Sequence, residues 1–145
     1  MALRAIPVTV LAFILYNVLV FLFAGGGTDG AAAAREFLAG EIFGIPMMTG
    51  VRWAFTWGDF IVLVTFLVLF IELLRATYTS TTSLIDHGLS MLIFIACLVE
   101  FLTVQAAATS IFFFVMVALL IDVVAGFTIG IRVAKRDIGF GTSDQ

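Results

Sequence analysis

Residues 110–132 read SIFFFVMVALLIDVVAGFTIGIR, an apolar run that holds a single acid, Asp122, and ends on a base, Arg132. A helix needs about 20 predominantly apolar residues to cross the hydrocarbon core of a bilayer. The run has that length and that composition. It therefore predicts a membrane-spanning helix.

Three further segments of the same kind precede this run. We predict them over residues 6–24, 58–77 and 84–104. The linker Gln105-Ala-Ala-Ala-Thr109 is so short that the third and fourth segments must form an antiparallel hairpin. A single span over 101–121 is the alternative, but it would leave residues 88–99 too short to cross. We expect an all-α polytopic protein: one membrane domain over residues 1–145, an antiparallel bundle of four transmembrane helices with a long aromatic first outer loop.

The composition indicates that lipid is the solvent for most of the protein. Of 145 residues, 63% are hydrophobic and 12% are charged, and the mean hydropathy is +1.23. Soluble domains carry about 25% charged residues, and a domain of this size has too little interior to bury so much apolar surface. A cytosolic enzyme and a disordered chain are excluded. The run 6–24 is longer than the apolar core of a signal peptide, so we expect an uncleaved first span.

Charge and ligand content exclude further kinds of site. The net charge of −3 provides no basic field for nucleic acid. The lone cysteine, Cys97, cannot form an intrachain disulfide, and one histidine cannot supply a zinc ligand set within one chain. The sequence also contains no recognisable nucleophile–base set. We expect no catalytic residues, no cofactor, no metal and no nucleic-acid partner.

The distribution of basic residues predicts the orientation in the membrane. Lys and Arg are enriched in the cytoplasmic loops of membrane proteins. With the N-terminus inside, the outer side holds two bases, both on the first loop, Arg35 and Arg52. The inner side then holds the other five, namely Arg4, Arg75, Arg132, Lys135 and Arg136. This bias favours a multi-pass protein of a bacterial-type inner membrane with both termini in the cytoplasm.

The outer loop, residues 25–57, is the one sizeable extramembrane segment. Asp29 is placed to cap a short helix over Gly30–Ala39, which Gly40 would end. Residues 41–57 then form an aromatic stretch without strict alternation, in which Trp53 and Trp57 would share one face of a helix. We expect both indoles to anchor a loop that lies on the membrane surface, since tryptophan concentrates at that boundary. A surface that docks a partner is the alternative.

Ionisable residues within spans are costly and are functional candidates by default. Asn17 is a neutral polar companion on the first segment. At about 1.5 Å per residue, Glu72 and Asp122 share a level in the inner half, whereas Glu100 lies near the outer end with Asp59. The candidates for proton or cation handling are Glu100, Asp122, Glu72, His87 and Asp59.

Each candidate also has a structural interpretation. Glu72 and Arg75 are spaced for an i,i+3 ion pair, and Asp59 is placed to complement a helix dipole. His87 is at an interfacial or capping position. Glu100 and Asp122 stand among apolar neighbours, where each carboxyl would either hydrogen-bond across a helix interface or carry a proton or cation.

Small residues line one stripe of the fourth segment. Ala118, Asp122, Gly126 and Gly130 recur at every fourth position, and the two glycines form a GxxxG pair. Small residues let neighbouring backbones approach closely in lipid. We expect this stripe to be a helix-packing or oligomer face, against the third segment or against a second copy of the chain.

The plan of four spans with a long first outer loop resembles that of claudin-type proteins, but this loop lacks their cysteine pair. Small multidrug transporters also have four spans, with a glutamate in the first, where this chain has Asn17. The chain is assigned to neither family. We expect a non-enzymatic accessory, anchoring or scaffolding subunit that associates with itself or with other membrane-protein subunits. The alternative is a proton- or cation-handling channel or transporter that uses the intramembrane carboxylates.

The orientation gives a direct prediction. Alkaline phosphatase fused to the C-terminus should be inactive, because the enzyme folds only after export to the outer side. A fusion within residues 25–57 should be active and serves as the control. Strong phosphatase activity of the C-terminal fusion would overturn the predicted orientation.

Overall fold

Helices make up most of the described part of the chain. The computed structural model describes residues 7–24, 30–76 and 83–139, with side chains for all of these except 83–87 and 133–139. The expected all-α class is confirmed for these ranges. Their elements are α1 (Val10–Phe23), α2 (Gly30–Ala39), β1 (Glu41–Pro46), β2 (Arg52–Thr56), α3 (Trp57–Ala76), α4 (Ser83–Thr103), a 3₁₀ helix (Gln105–Ala107) and α5 (Ser110–Gly139).

The helix bounds follow the predicted segments most closely in the middle of the chain. α3 and α4 begin and end one residue before the predicted bounds, and α2 occupies the expected residues. α1 begins only at Val10, because Pro7–Thr9 form turns in which the amides of Val10 and Leu11 donate to the carbonyls of Pro7 and Val8. α5 continues beyond residue 132, since the Ala, Lys and Arg that follow are good helix formers.

The aromatic part of the first loop is a β-hairpin. β1 pairs antiparallel with β2, with Phe43 opposite Phe55 and Ile45 opposite Trp53. The expectation of an irregular or helical stretch, with Trp53 and Trp57 on one helix face, is wrong. Trp53 lies on β2, whereas Trp57 is the first residue of α3.

Two local features make these strands difficult to predict from the sequence. The register is irregular between Glu41 and Phe43, so that Ile42 interrupts the alternation of apolar and polar positions. The turn is longer than a two-residue hairpin turn: Gly50 donates its N–H to the Met47 carbonyl at 2.9 Å and has a φ of 82°. Glycine adopts this left-handed conformation without a steric penalty, and hairpins of this kind use it to turn.

The helices pack around α5. Its closest neighbours are α4 and α3, and α1 packs mainly against α3 and α5. α2 lies on the 3₁₀ helix at the end of the bundle that also holds β1 and β2, hereafter the hairpin end. The opposite end, where Pro7–Thr9 lead into α1, is hereafter the Pro7 end. The largest fully buried side chains in the core include Tyr16, Ile61, Phe112 and Leu119.

Among the described residues, two helices are long and apolar enough to cross a membrane. These are Trp57–Ala76 and Ser110–Arg132, with mean hydropathies of 2.2 and 2.5. Two shorter apolar helices, Val10–Phe23 and Gly88–Thr103, accompany them. Length and composition thus support a membrane protein with at least these two helices as candidate spans.

Candidate functional site

Two carboxylates from different helices meet the start of α1 at the Pro7 end. Glu72 of α3 accepts the backbone N–H of Val8 at 2.7 Å through Oε2. Asp122 of α5 accepts the hydroxyl of Thr9 at 2.8 Å through Oδ2. Glu72 is buried, and Asp122 is only 2% exposed. The two acids therefore lie at one level of the bundle and hold consecutive residues of the turn.

The electrostatics of this arrangement are favourable. The first N–H groups of a helix have no partner within the helix, and the helix dipole places partial positive charge at that end. Glu72 satisfies the N–H of Val8, in the turn just before α1, and also accepts Nη1 of Arg75 at 3.1 Å. The i,i+3 interpretation of Glu72 and Arg75 is thus confirmed as a contact, although it missed the bond to Val8.

All four residues of the small-residue stripe are buried. Ala118, Asp122, Gly126 and Gly130 face the interior of the described bundle. The hydrogen-bond partner of Asp122 within the chain comes from the turn before α1, rather than from α4. Thr9 is not among the candidates that the sequence indicates. Its position just inside the predicted first span is the one sequence signal for its role.

Glu100 lies toward the hairpin end, on a different level. It is partly buried and accepts Nδ2 of Asn17 at 3.3 Å, while the same Nδ2 donates to the Phe13 carbonyl at 3.1 Å. Thr9 and Asn17 are eight residues apart, which corresponds to about 12 Å along the axis of α1. These three buried or half-buried acids thus lie at two separate levels. Glu72 and Asp122 lie at the Pro7 end, whereas Glu100 lies with the amide of Asn17 toward the hairpin end.

A cavity of about 240 Å³ opens beside Glu100, between α1, α4 and the 3₁₀ helix. On one side stands Tyr16, whose hydroxyl donates to the Ala106 carbonyl at 2.8 Å and lies 2.7 Å from the Thr109 hydroxyl oxygen. Thr109 in turn accepts the N–H of Phe112 at 3.2 Å, so it caps α5. These bonds join α1 to the connection between α4 and α5.

Asp59 has a capping role at the start of α3. Its Oδ2 accepts both the N–H and the hydroxyl of Thr56, at 2.9 and 2.8 Å, and its own N–H donates to the Thr56 hydroxyl at 3.2 Å. This reciprocal pair is a capping box. The Thr-x-x-Asp spacing of residues 56–59 was the signal for it. His87 lies on α4, but its side chain is outside the described residues.

The hairpin has two chemically different faces. Phe43, Ile45, Trp53 and Phe55 share one face, with the Phe43 and Phe55 rings stacked at 4.8 Å. On the other face the Arg52 guanidinium reaches Glu41 across Gly44, where a Cβ would clash with Arg52 Cζ. The hydrogen bond from Arg52 to Glu41 raises the pKa of Arg52.

The aromatic face and the tip of the hairpin are exposed. Trp53 is 47% exposed, and Met48 at the turn is fully exposed. Trp57 differs, because its ring stacks on Phe37 at 5.5 Å, and Phe37 stacks on Phe23 at 5.6 Å. Of the two predicted indole anchors, Trp53 is thus available at the surface and Trp57 joins α1, α2 and α3.

The base of the hairpin is tied directly to α3. β2 ends at Thr56 and α3 begins at the next residue. The N–H of Trp57 donates to the Gly40 carbonyl at 3.0 Å, which links this junction to the end of α2. Together with the Thr56–Asp59 capping box, this bond fixes the hairpin to the bundle without a linker.

No protein-family model, curated protein or solved structure matches this chain. Among the described side chains, those of residues 7–24, 30–76 and 88–132, no group of three His, Cys, Asp or Glu is arranged to hold a metal ion.

The bond between Thr9 and Asp122 predicts a specific pattern of stabilities. Asp122→Leu should lower the free energy of unfolding by about 1–3 kcal/mol, because it leaves the buried Thr9 hydroxyl without an acceptor. Asp122→Asn, which keeps an acceptor oxygen, is the matched control and should cost less. Chemical unfolding of the purified protein in detergent measures both.

The double variant tests whether the two residues are coupled. Adding Thr9→Val to Asp122→Leu should recover part of the loss, because apolar groups then replace both partners. Strictly additive losses would contradict a direct bond between the two side chains.

Proposed function

We propose that this chain is a non-enzymatic, four-span subunit of a bacterial-type inner membrane, which anchors or scaffolds a membrane complex or a homo-oligomer. The hydrogen bonds of Glu72 and Asp122 to the turn before α1 carry the proposal. They use the two buried acids to fasten helices together. The scarcity of extramembrane chemistry in the sequence agrees with such a role.

Internal hydrogen bonding at the Pro7 end supports a first span. α1 has 14 residues and is therefore about 21 Å long, less than the hydrocarbon thickness. Non-helical backbone is tolerated at membrane depth where protein groups satisfy it. The bond from the Val8 N–H to Glu72 provides such a partner, and it supports the Pro7–Thr9 turn as the part of the first span that precedes α1.

The four helices then alternate in direction. The start of α1 lies beside Glu72, near the end of α3, and Tyr16 of α1 contacts the connection between α4 and α5. Both contacts agree with an antiparallel bundle whose hairpin end is on the outer side. The bias of Lys and Arg in the sequence supports the same orientation, with both termini in the cytoplasm.

The same two acids argue against the alternative of a proton or cation pathway. A carboxylate that relays protons or coordinates a cation needs oxygen atoms that are open to the moving species. Glu72 and Asp122 each hold a group of α1 instead. They are also separated from Glu100 along the bundle axis by about the distance between Thr9 and Asn17, some 12 Å.

Apolar surface remains for lipid or for other subunits. Trp53 on the hairpin is exposed, as are Phe66 and Phe70, which lie four residues apart on α3. Exposed apolar surface of this kind marks contact with lipid or with another membrane protein. Contact with lipid and contact with another subunit are both part of the proposed role.

Purification under mild detergent tests the proposal. A tagged copy should retain a partner at fixed stoichiometry, or a second copy that carries a different tag. Asp122→Asn should keep that assembly, because the side-chain shape and the acceptor for Thr9 are preserved. Wild-type protein and Asp122→Asn should both leave the proton and cation permeability of liposomes unchanged.

Two results would contradict the proposed role. One is a chain that stays monomeric and without a partner under these conditions. The other is an ion flux that the wild-type protein supports and Asp122→Asn abolishes, which would establish the transport alternative.

The hairpin should lie against the outer membrane interface. In Trp57→Phe, the remaining tryptophan reports on the aromatic face of the hairpin, and lipids with brominated chains should quench its fluorescence efficiently. Aqueous iodide should quench it poorly, because tryptophan prefers the headgroup region. Trp53→Phe is the matched comparison, because the tryptophan that remains, Trp57, stacks on Phe37. Full quenching of Trp53 by iodide would contradict the placement.

A further inference from the structure

The cavity beside Glu100 presents hydrogen-bond acceptors. Asn17 Nδ2 donates to Glu100 and to Phe13, which leaves the amide oxygen of Asn17 as a further acceptor. The Glu100 carboxylate has about four acceptor positions, and the structure shows one donor on it, Asn17. Both residues line the cavity. Its polar wall is therefore suited to a ligand that donates hydrogen bonds.

Glu100 has no ion-pair partner among the described side chains. Among the described side chains, the ion pairs are Arg52 with Glu41 and Arg75 with Glu72, and neither involves Glu100. Arg35, a base at this end, donates to the Ala108 carbonyl at 3.3 Å. An ionised Glu100 at this depth is expensive unless a cation accompanies it.

A shallow apolar groove, open along one side, continues from the cavity along the outside of α1. It is lined by Val18, Phe21 and Leu22, together with Asn17, all on α1. Asn17 and Phe21 line both spaces. The acidic cavity and the apolar groove are thus neighbours, a combination that matches a cationic head joined to a hydrocarbon chain.

We propose that the cavity binds the primary ammonium head of an amphiphile, whose apolar chain lies in the groove over Phe21. A primary ammonium has three donors, which match the Glu100 carboxylate and the Asn17 oxygen. The rings of Tyr16 and Phe21 line the cavity and add aromatic surface that attracts cations. A divalent metal ion fits less well, because Ca²⁺ takes six to eight oxygen ligands and one carboxylate stands here.

Two sources share this chemistry: an ethanolamine headgroup of a lipid and a free long-chain amine. Binding at the cavity does not depend on whether the bundle has a protein partner. Binding at the cavity can therefore fail while the accessory role holds, and the accessory role can fail while this binding holds.

Calorimetric titration with hexylammonium chloride tests the site. The full chain is placed in nanodiscs of phosphatidylcholine, and the heat of empty nanodiscs is subtracted. We expect saturable binding of one hexylammonium per chain. Hexanol, which has the same chain without the charge, should show no saturable binding.

Two variants test whether hexylammonium binds in the cavity, and a third variant is the control. Glu100→Gln should weaken this binding about tenfold or more, as the loss of a charge-assisted hydrogen bond predicts. Glu36→Gln removes an exposed acid of α2 outside the cavity and should leave it unchanged. Val104→Phe, at a partly exposed position on the cavity wall, should also weaken binding by filling space, with the charge intact and the core untouched.

Native mass spectrometry distinguishes the two sources. From nanodiscs that contain equal amounts of ethanolamine and choline lipids, preferential retention of the ethanolamine lipid by wild type, and not by Glu100→Gln, assigns the site to a headgroup. Hexylammonium binding without such retention assigns it to a free amine. The proposal is overturned if wild type shows no saturable hexylammonium binding, or if both Glu100→Gln and Val104→Phe bind as wild type does.

Discussion

The architecture depends on the way in which α1 begins. The non-helical turn Pro7–Thr9 brings a backbone N–H and a hydroxyl into the bundle, and a polar group buried there without a partner destabilises the fold. Here Glu72 and Asp122 approach from α3 and α5 and bind consecutive residues of the turn before α1. Glu72 satisfies the Val8 N–H and Asp122 satisfies the Thr9 hydroxyl, so the same two bonds stabilise the buried acids and the buried turn.

The two ends of the bundle consequently differ in chemistry. At the Pro7 end, both acids accept hydrogen bonds from the turn before α1. Toward the hairpin end, Glu100 has one amide donor and a cavity beside it. A glutamate thus binds the turn before α1 at one level and borders a cavity at another. The difference follows from the donors that α1 supplies at each level.

The helices were predictable from the sequence, because apolar runs of sufficient length, short polar linkers and capping residues are local signals. α2 and the bounds of α3 and α4 followed from such signals to within a residue. The hairpin was not predictable in the same way, since Ile42 disturbs the alternation of β1 and the turn exceeds two residues. The bond from Val8 to Glu72 joins residues 64 positions apart, and no local pattern indicates a contact at that separation. The stripe on α5 was recognised as a packing face, but its partner at Asp122 depends on the tertiary arrangement of α1.

The direct junction between β2 and α3 has a mechanical consequence. Because no linker separates Thr56 from Trp57, the hairpin has no joint at which to bend relative to α3. The exposed tip around Met48 is therefore continuous, through β2, with one end of α3. The far end of that helix carries Glu72, which accepts the N–H of Val8. One helix thus connects the exposed hairpin with the turn before α1 at the opposite end of the bundle.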